Sequence, residues 1–285
     1  MTVLVVVAAV AAAIAAGAWL AGRAAFDAPV LLRRNYRGAD VPVGAGVLLV
    51  FATIGAAAVL AVADAAGRTP EAGEQLGALL GLVVALGFGM LGIFDDLAAH
   101  GDVRGFKGHL GSLARGQMTT GALKLVGGGL LALVAVGLLD PGSLLDLAVG
   151  ALVVALAANV GNLFDRAPGR TTKVSLVLGV VLVAFASSAD RSLLVGTVAV
   201  LGAGAGLLRF DLREELMLGD AGSNVLGAAL GIGLVATTSL AVQGAALVAL
   251  VALNLASEAT SFSAVIDRTP PLRWADRLGR RPLDH

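Results

Sequence analysis

The acid and amide side chains that could do chemistry in this chain fall into three short stretches, each at the end of an apolar run. Asp95 and Asp96 close the run Leu76 to Asp96, LGALLGLVVALGFGMLGIFDD. A carboxylate at the centre of a bilayer costs at least ~2.5 kcal/mol, so the pair belongs at a water boundary. Neighbouring helical residues point about 100° apart, so one of the two can bind a ligand while the other caps or orients. Asn159, Asn162 and Asp165 recur at every third residue, which places two amides and a carboxylate within an arc of about 120° on one helical face. Such a stripe suits a hard cation or a polar head group, or else hydrogen bonds to neighbouring helices. Asp220 opens the run LGDAGSN, with Ser223 and Asn224 a turn further on. It reads either as an N-cap or as part of a small-residue helix start that lets phosphate approach open backbone amides. Lys124 lies about two turns inside an apolar segment. It snorkels to the interface or it serves a functional site.

The elements that must position these groups are membrane helices. The chain is 58% hydrophobic and 14% charged, with 39 glycines and a mean hydropathy of +0.90, a profile that excludes an ordinary soluble domain. Net charge is zero, so no global field recruits nucleic acid, and no nucleic-acid partner is expected. With no cysteine and three histidines, any metal must be held by oxygen or imidazole. Nine stretches are apolar and long enough to span, at residues 3–22, 43–66, 75–95, 117–139, 143–163, 172–189, 191–208, 220–239 and 241–262. The first lacks a basic start and an obvious cleavage site, so it reads as a helix rather than a signal peptide. Neither a linker nor a fixed-period repeat divides the chain. The expectation is an all-α, polytopic membrane protein of about nine spans, forming a single domain over residues 1–285 with a basic tail at 263–285.

Orientation follows from lysine and arginine. Segments 23–42, 96–116, 164–173, 209–219 and 263–285 hold seventeen of the twenty basic residues, and the opposite loops hold only Arg68 and Arg191. The amino terminus is therefore expected outside and the basic segments in the cytoplasm of a cell membrane. Asp95, Asp96, Asp165 and Asp220 fall on that same side. The first basic segment reads as lipid contact, with Pro42, Gly44 and Gly46 marking a turn into the second span. Asn254 and Glu258 form an i, i+4 polar pair in the ninth span. The tail, with Arg268, Arg273, Arg277, Arg280 and Arg281 beside Trp274, reads as an interfacial anchor or as a phosphate-binding segment.

FDD after the third span, NxxNxxD closing the fifth and LGDAGS opening the eighth, in that order and on one face, resemble the polyprenyl-phosphate N-acetylhexosamine-1-phosphate transferases. These form glycosyltransferase family 4, which includes the phospho-N-acetylmuramoyl-pentapeptide transferases and the UDP-GlcNAc:undecaprenyl-phosphate GlcNAc-1-phosphate transferases. The resemblance covers roughly residues 30 to 281. It implies that a polyprenyl phosphate oxygen attacks the sugar-linked phosphorus of a UDP-sugar and releases UMP, with Mg²⁺ as cofactor and Mn²⁺ as a substitute. It also implies roles for residues. Asn162 and Asp220 would bind the metal, and Asp95 or Asp96 would bind or deprotonate the lipid phosphate. Lys124 would contact pyrophosphate, with Lys107 and Arg115 as the next candidates. Asn159, Asp165, Arg166 and Ser223 would lie on the substrate side, Asp165 and Arg166 near the nucleotide. Implied partners are the UDP-sugar, the lipid, the membrane and a second copy in a homodimer.

Three departures bear on the substrate. The pentapeptide branch carries a histidine run in its last cytoplasmic loop, whereas His100, His109 and His285 all lie elsewhere, which disfavours that donor. The segment after the fifth span reads DRAPGR instead of DGxDG or NGxxG. The chain also ends after the ninth span and its tail, where the family usually has a further helix. The alternatives are a small transporter and a non-catalytic lipid-phosphate-binding relative. A transporter would place its ionisable groups nearer the midplane, often in two repeated halves.

Overall fold

The computed structural model describes residues 1–98 and 119–282. Among these, nine long helices occupy the nine expected stretches: α1 Thr2–Gly22, α2 Val47–Ala65, α3 Ala72–Ala98, α4 Thr120–Gly137, α5 Leu144–Phe164, α6 Arg170–Phe185, α7 Val195–Leu212, α8 Asp220–Thr237 and α9 Leu240–Ala259. Two short helices follow, α10 Phe262–Arg268 and α11 Pro270–Arg277. The all-α, polytopic membrane class is therefore observed. Seven of the nine helices are long and apolar enough to cross a bilayer, and the exceptions are α6 and α8. With 16 residues, α6 rises only about 24 Å, short of a hydrocarbon core of ~30 Å. In α8, Asp220, Ser223 and Asn224 dilute the apolar content of the opening turns.

The position of α8 explains why it tolerates those residues. It is buried almost without interruption from Ala221 to Ile232, packed chiefly against α5 and α3 and also against α6 and α7. By contrast α9 buries only Gln243 along its length, and Val248 and Leu255 are more than two-thirds exposed. This apolar outer surface suits hydrocarbon surroundings. Hydrocarbon gives helices no hydrophobic reason to associate, so they rely on close backbone packing through small residues. At Gly81, a Cβ would lie 2.5 Å from the Cα of Gly196 on α7, and no side chain fits there.

The segment between α1 and α2 is more ordered than a basic lipid-contact loop. Two short 3₁₀ turns, Arg23–Asp27 and Pro29–Leu31, lead into strand β1 Leu32–Arg34, which pairs antiparallel with β2 Asp40–Pro42 in the register Leu32↔Pro42. The turn is built by Asn35, whose Oδ1 accepts the backbone N–H groups of Arg37 and Ala39 at 2.9 and 3.0 Å. The chain then runs alongside the segment before α8. Met217 N–H donates to Pro42 O at 2.8 Å, Ala45 N–H to Met217 O at 3.2 Å and Gly46 N–H to Leu218 O at 2.9 Å. Pro42, Gly44 and Gly46 do turn the chain into α2, and they also pin the start of α8.

Candidate active site

The end of α3 meets the start of α8 at backbone distance. A Cβ on Gly92 would fall 2.3 Å from Asp220 O, so glycine is required for this approach. Gly219, at φ +65°, supplies no side-chain cap for α8. The cap comes from α3 instead: Asp96 accepts Asp220 N–H at Oδ1 (3.0 Å) and Ala221 N–H at Oδ2 (3.1 Å). Its backbone oxygen accepts from Arg33 Nη2 at 3.0 Å. Two expectations for α8 are thereby corrected. Asp220 is the first helical residue rather than the N-cap. The first amides of α8 are occupied by a carboxylate, not open to phosphate, because the negative group that a helix N-terminus favours is already built in.

With Asp96 engaged in capping, Asp95 points elsewhere, as the angle between successive residues requires. Its carboxylate lies 3.6 Å from Lys124 Nζ, the same ammonium that engages Asp220. Lys124 forms its closest ion pair with Asp220. It stands one turn inside α4 rather than two, because Thr119 caps that helix by accepting Ala122 N–H at 3.1 Å. The ammonium therefore lies near the end of the bundle, beside the start of α8.

From α5, Asn162 Nδ2 donates to Asp220 Oδ2 at 3.0 Å. The asparagine stripe then divides: Asn159 Nδ2 donates to Asn254 Oδ1 of α9 at 2.5 Å, tying two helices together away from Asp220. Asp165 follows the last turn of α5, partly buried, and Arg166 beside it is exposed. Burial first, then the carboxylates of Asp211, Asp220 and Asp96, push the Asp165 carboxyl well above the ordinary range, with Arg166 opposing them. Ser223 is fully buried and its hydroxyl has no hydrogen-bond partner among the described residues. Asn224 Nδ2 donates to Asp220 O at 2.7 Å. Lys107 and Arg115 lie outside the described residues.

Four helices thus bring Asp95, Lys124, Asn162 and Asp220 to one point, with Asp96 beneath them fixing the backbone of Asp220. The donor set suits a hard divalent cation in kind. A carboxylate and an amide meet at Asp220, a second carboxylate stands close by, and a cationic group already lies against both. Among the described residues no three acids or imidazoles converge to form a complete cage. Magnesium sites of the phosphate-transfer type use one or two carboxylates and leave the remaining positions to water and substrate.

Sequence reasoning missed two buried features nearby. Asp211, at the end of α7, is 5% exposed and accepts Gly169 N–H at 3.0 Å. Arg170, in the DRAPGR run, is 4% exposed and pairs with Asp276 of α11. The signal available was an acid just beyond an apolar span and the Pro168-Gly169 pair, at which Gly169 adopts the left-handed conformation, φ +67°.

A family model described as Glycosyl transferase family 4 matches residues 78–240, more than half of the chain, from α3 to the first residue of α9. The match includes every member of the four-helix cluster. The chain belongs to glycosyl transferase family 4, and at the level of that family its activity is the transfer of a phospho-sugar to polyprenyl phosphate. No curated protein matches it.

Proposed function

We propose that this protein transfers a sugar-1-phosphate from a UDP-sugar, a UDP-N-acetylhexosamine, to a polyprenyl phosphate at the cytoplasmic face of the cell membrane. A polyprenyl phosphate oxygen forms a bond to the sugar-linked phosphorus. The bond from that phosphorus to the bridging oxygen breaks, and UMP leaves with the electron pair. The observation that carries this reading is the convergence of Asp95, Lys124, Asn162 and Asp220 from four helices at one end of the bundle. Phosphoryl transfer needs positioning and charge neutralisation more than covalent chemistry, and this cluster supplies those parts.

Asp220 and Asn162 would hold Mg²⁺ or Mn²⁺, which when bound neutralises phosphate oxygens. Lys124 exchanges its contact with Asp220 for a pyrophosphate oxygen, a charge-assisted hydrogen bond. Asp95, which caps no backbone group among the described residues, faces the lipid phosphate and takes its proton where one is present. Asp96 holds the first turn of α8, and so Asp220, in place. Asp165 and Arg166 lie on the nucleotide side. The chain acts as one membrane domain, with its amino terminus outside.

The test is an incubation of purified protein with a panel of UDP-sugars, polyprenyl phosphate and Mg²⁺, following UMP release. The reading requires release that depends on the lipid. No lipid-dependent UMP from any donor rejects it in favour of a non-catalytic relative.

A further inference from the structure

The DRAPGR run and the arginine-rich tail had no shared role in the sequence, yet they are bound to each other. Phe262 of α10 packs its ring 5.1 Å from that of Phe164, the last residue of α5. Ser263 accepts from Arg170 Nη1 at 2.8 Å. Asp276 of α11 accepts from Arg170 Nε and Nη2 at 2.8 and 3.0 Å, a bidentate pair, and also forms an ion pair with Arg280 at 2.5 Å. Arg280 Nε donates to Pro168 O at 3.1 Å. Lys173 Nζ donates to the carbonyls of Ala275, Asp276 and Leu278 at 3.2, 2.5 and 3.2 Å.

The tail then passes to the end of α7 and to the β1–β2 turn. Arg281 N–H donates to Leu212 O at 3.3 Å. Arg37, in the turn between β1 and β2, donates to Arg281 O and Pro282 O at 2.8 and 2.9 Å while pairing with Glu214 at 2.9 Å. A membrane anchor alone would turn its charges towards lipid head groups. Here Asp276 is only 8% exposed and faces protein cations, while Trp274 points outward at 68%.

We infer that α10 and α11 form a belt that fixes residues 165–170 as the nucleotide-side wall of the donor site, with Asp276 as its positioning residue. The inference rests on the transfer reaction proposed above. Asp165 and Arg166 begin the segment that the belt grips, directly after Asn162 on the last turn of α5. Pro168 and Arg170, two and four residues beyond Arg166, are the points of attachment. A bidentate guanidinium–carboxylate pair fixes orientation as well as distance. Removing the carboxylate's charge leaves a buried guanidinium without its counter-charge, held only by neutral acceptors such as Ser263 Oγ, so the segment must shift to hydrate it.

The experiment compares wild type with Asp276→Asn, both in the full chain and both also carrying Ala167→Cys as a reporter. The first readout is the rate at which a water-soluble maleimide modifies that cysteine. The second is KM and kcat for the UDP-sugar that the wild type turns over. The expected result is faster modification together with a rise in donor KM of about tenfold or more, with kcat within a few-fold, the pattern of lost substrate binding rather than lost transition-state contacts. Asp276→Glu should recover most of the donor KM. If Asp276→Asn does not stay monodisperse, Arg280→Met removes the grip on Pro168 while leaving the Arg170 pair, and it should raise donor KM in the same sense. Faster modification with unchanged donor KM reduces the belt to a stability device and overturns the inference. Unchanged modification overturns the latch itself. A wild type that turns over no donor rejects the proposed reaction, and the belt's donor role with it, while the modification rate still reports the latch.

Discussion

Lys124 stands between two carboxylates, and removing its charge leaves Asp220 and Asp95 facing each other without it. Lys124→Met keeps the apolar stem, so a lysine that only snorkelled would be replaced without loss. The expected outcome is a folded protein whose turnover or donor affinity falls at least about tenfold, ~1.4 kcal/mol. Lys124→Arg should not restore it, because a planar fork does not replace a compact ammonium between two acids. Kinetics unchanged in both variants would return Lys124 to a structural role. The adjacent acids separate in the same way. Asp95→Asn should leave thermal stability near wild type and abolish turnover. Asp96→Asn should lower the melting temperature as well, since it removes charge from two hydrogen bonds, each worth about 1.5–3 kcal/mol when one partner is charged. That the two could not share a target was legible from helical geometry. Which of them caps was not, because the backbone amides that Asp96 holds belong to a helix more than a hundred residues away in sequence.

At the scale of elements, the site depends on backbones that touch. A Cβ on Gly46 would fall 2.0 Å from Gly222 N, so Gly46→Ala must push the start of α8 off the chain that pins it. Overpacking of this kind costs about 1–3 kcal/mol. Thermal unfolding in detergent should show that loss, with little change in Gly17→Ala, where a Cβ meets nothing within 4 Å. The tail adds a pH dependence. Burial acts to raise the Asp276 carboxyl, but hydrogen bonds and charge from Arg170, and charge from Arg280 and Lys173, outweigh it and hold the group below the ordinary range. A depressed folded-state value means that the stabilisation is complete above the unfolded value, ~3.9, and is lost as pH falls through the lower folded value. The difference in melting temperature between wild type and Asp276→Asn should therefore be constant at neutral pH and shrink once the pH drops below about 4. A difference that persists unchanged into acid would show that the charge of Asp276 is not what holds α11. The glycines of PVGAG read correctly as a turn. Their second role was invisible because a turn motif does not name the segment it will lie against, and neither Arg170 nor Asp276 carries a mark of its distant partner.

At the scale of the molecule, hydropathy made the nine helices legible because hydrocarbon imposes one length and one composition on every span. The exceptions are informative: α8 is central enough to need no lipid-facing surface, and α6 is short. The asymmetry of basic residues gives a topology that can be tested directly, since the chain has no cysteine of its own. Pro70→Cys should react with an impermeant maleimide added to intact cells and Gly105→Cys should not. The reverse pattern would put the acidic cluster on the wrong side for a soluble nucleotide donor. In the proposed reaction the bond that breaks lies between the two phosphorus atoms of the donor. This is tested most directly with a UDP-sugar carrying radioactive phosphorus only at the sugar-linked position, incubated with purified protein, Mg²⁺ and polyprenyl phosphate. Label is expected in the organic phase as a polyprenyl-diphospho-sugar, with unlabelled UMP in the water. Label left in the aqueous phase as UDP, with the sugar alone passing to lipid, would contradict the proposed reaction.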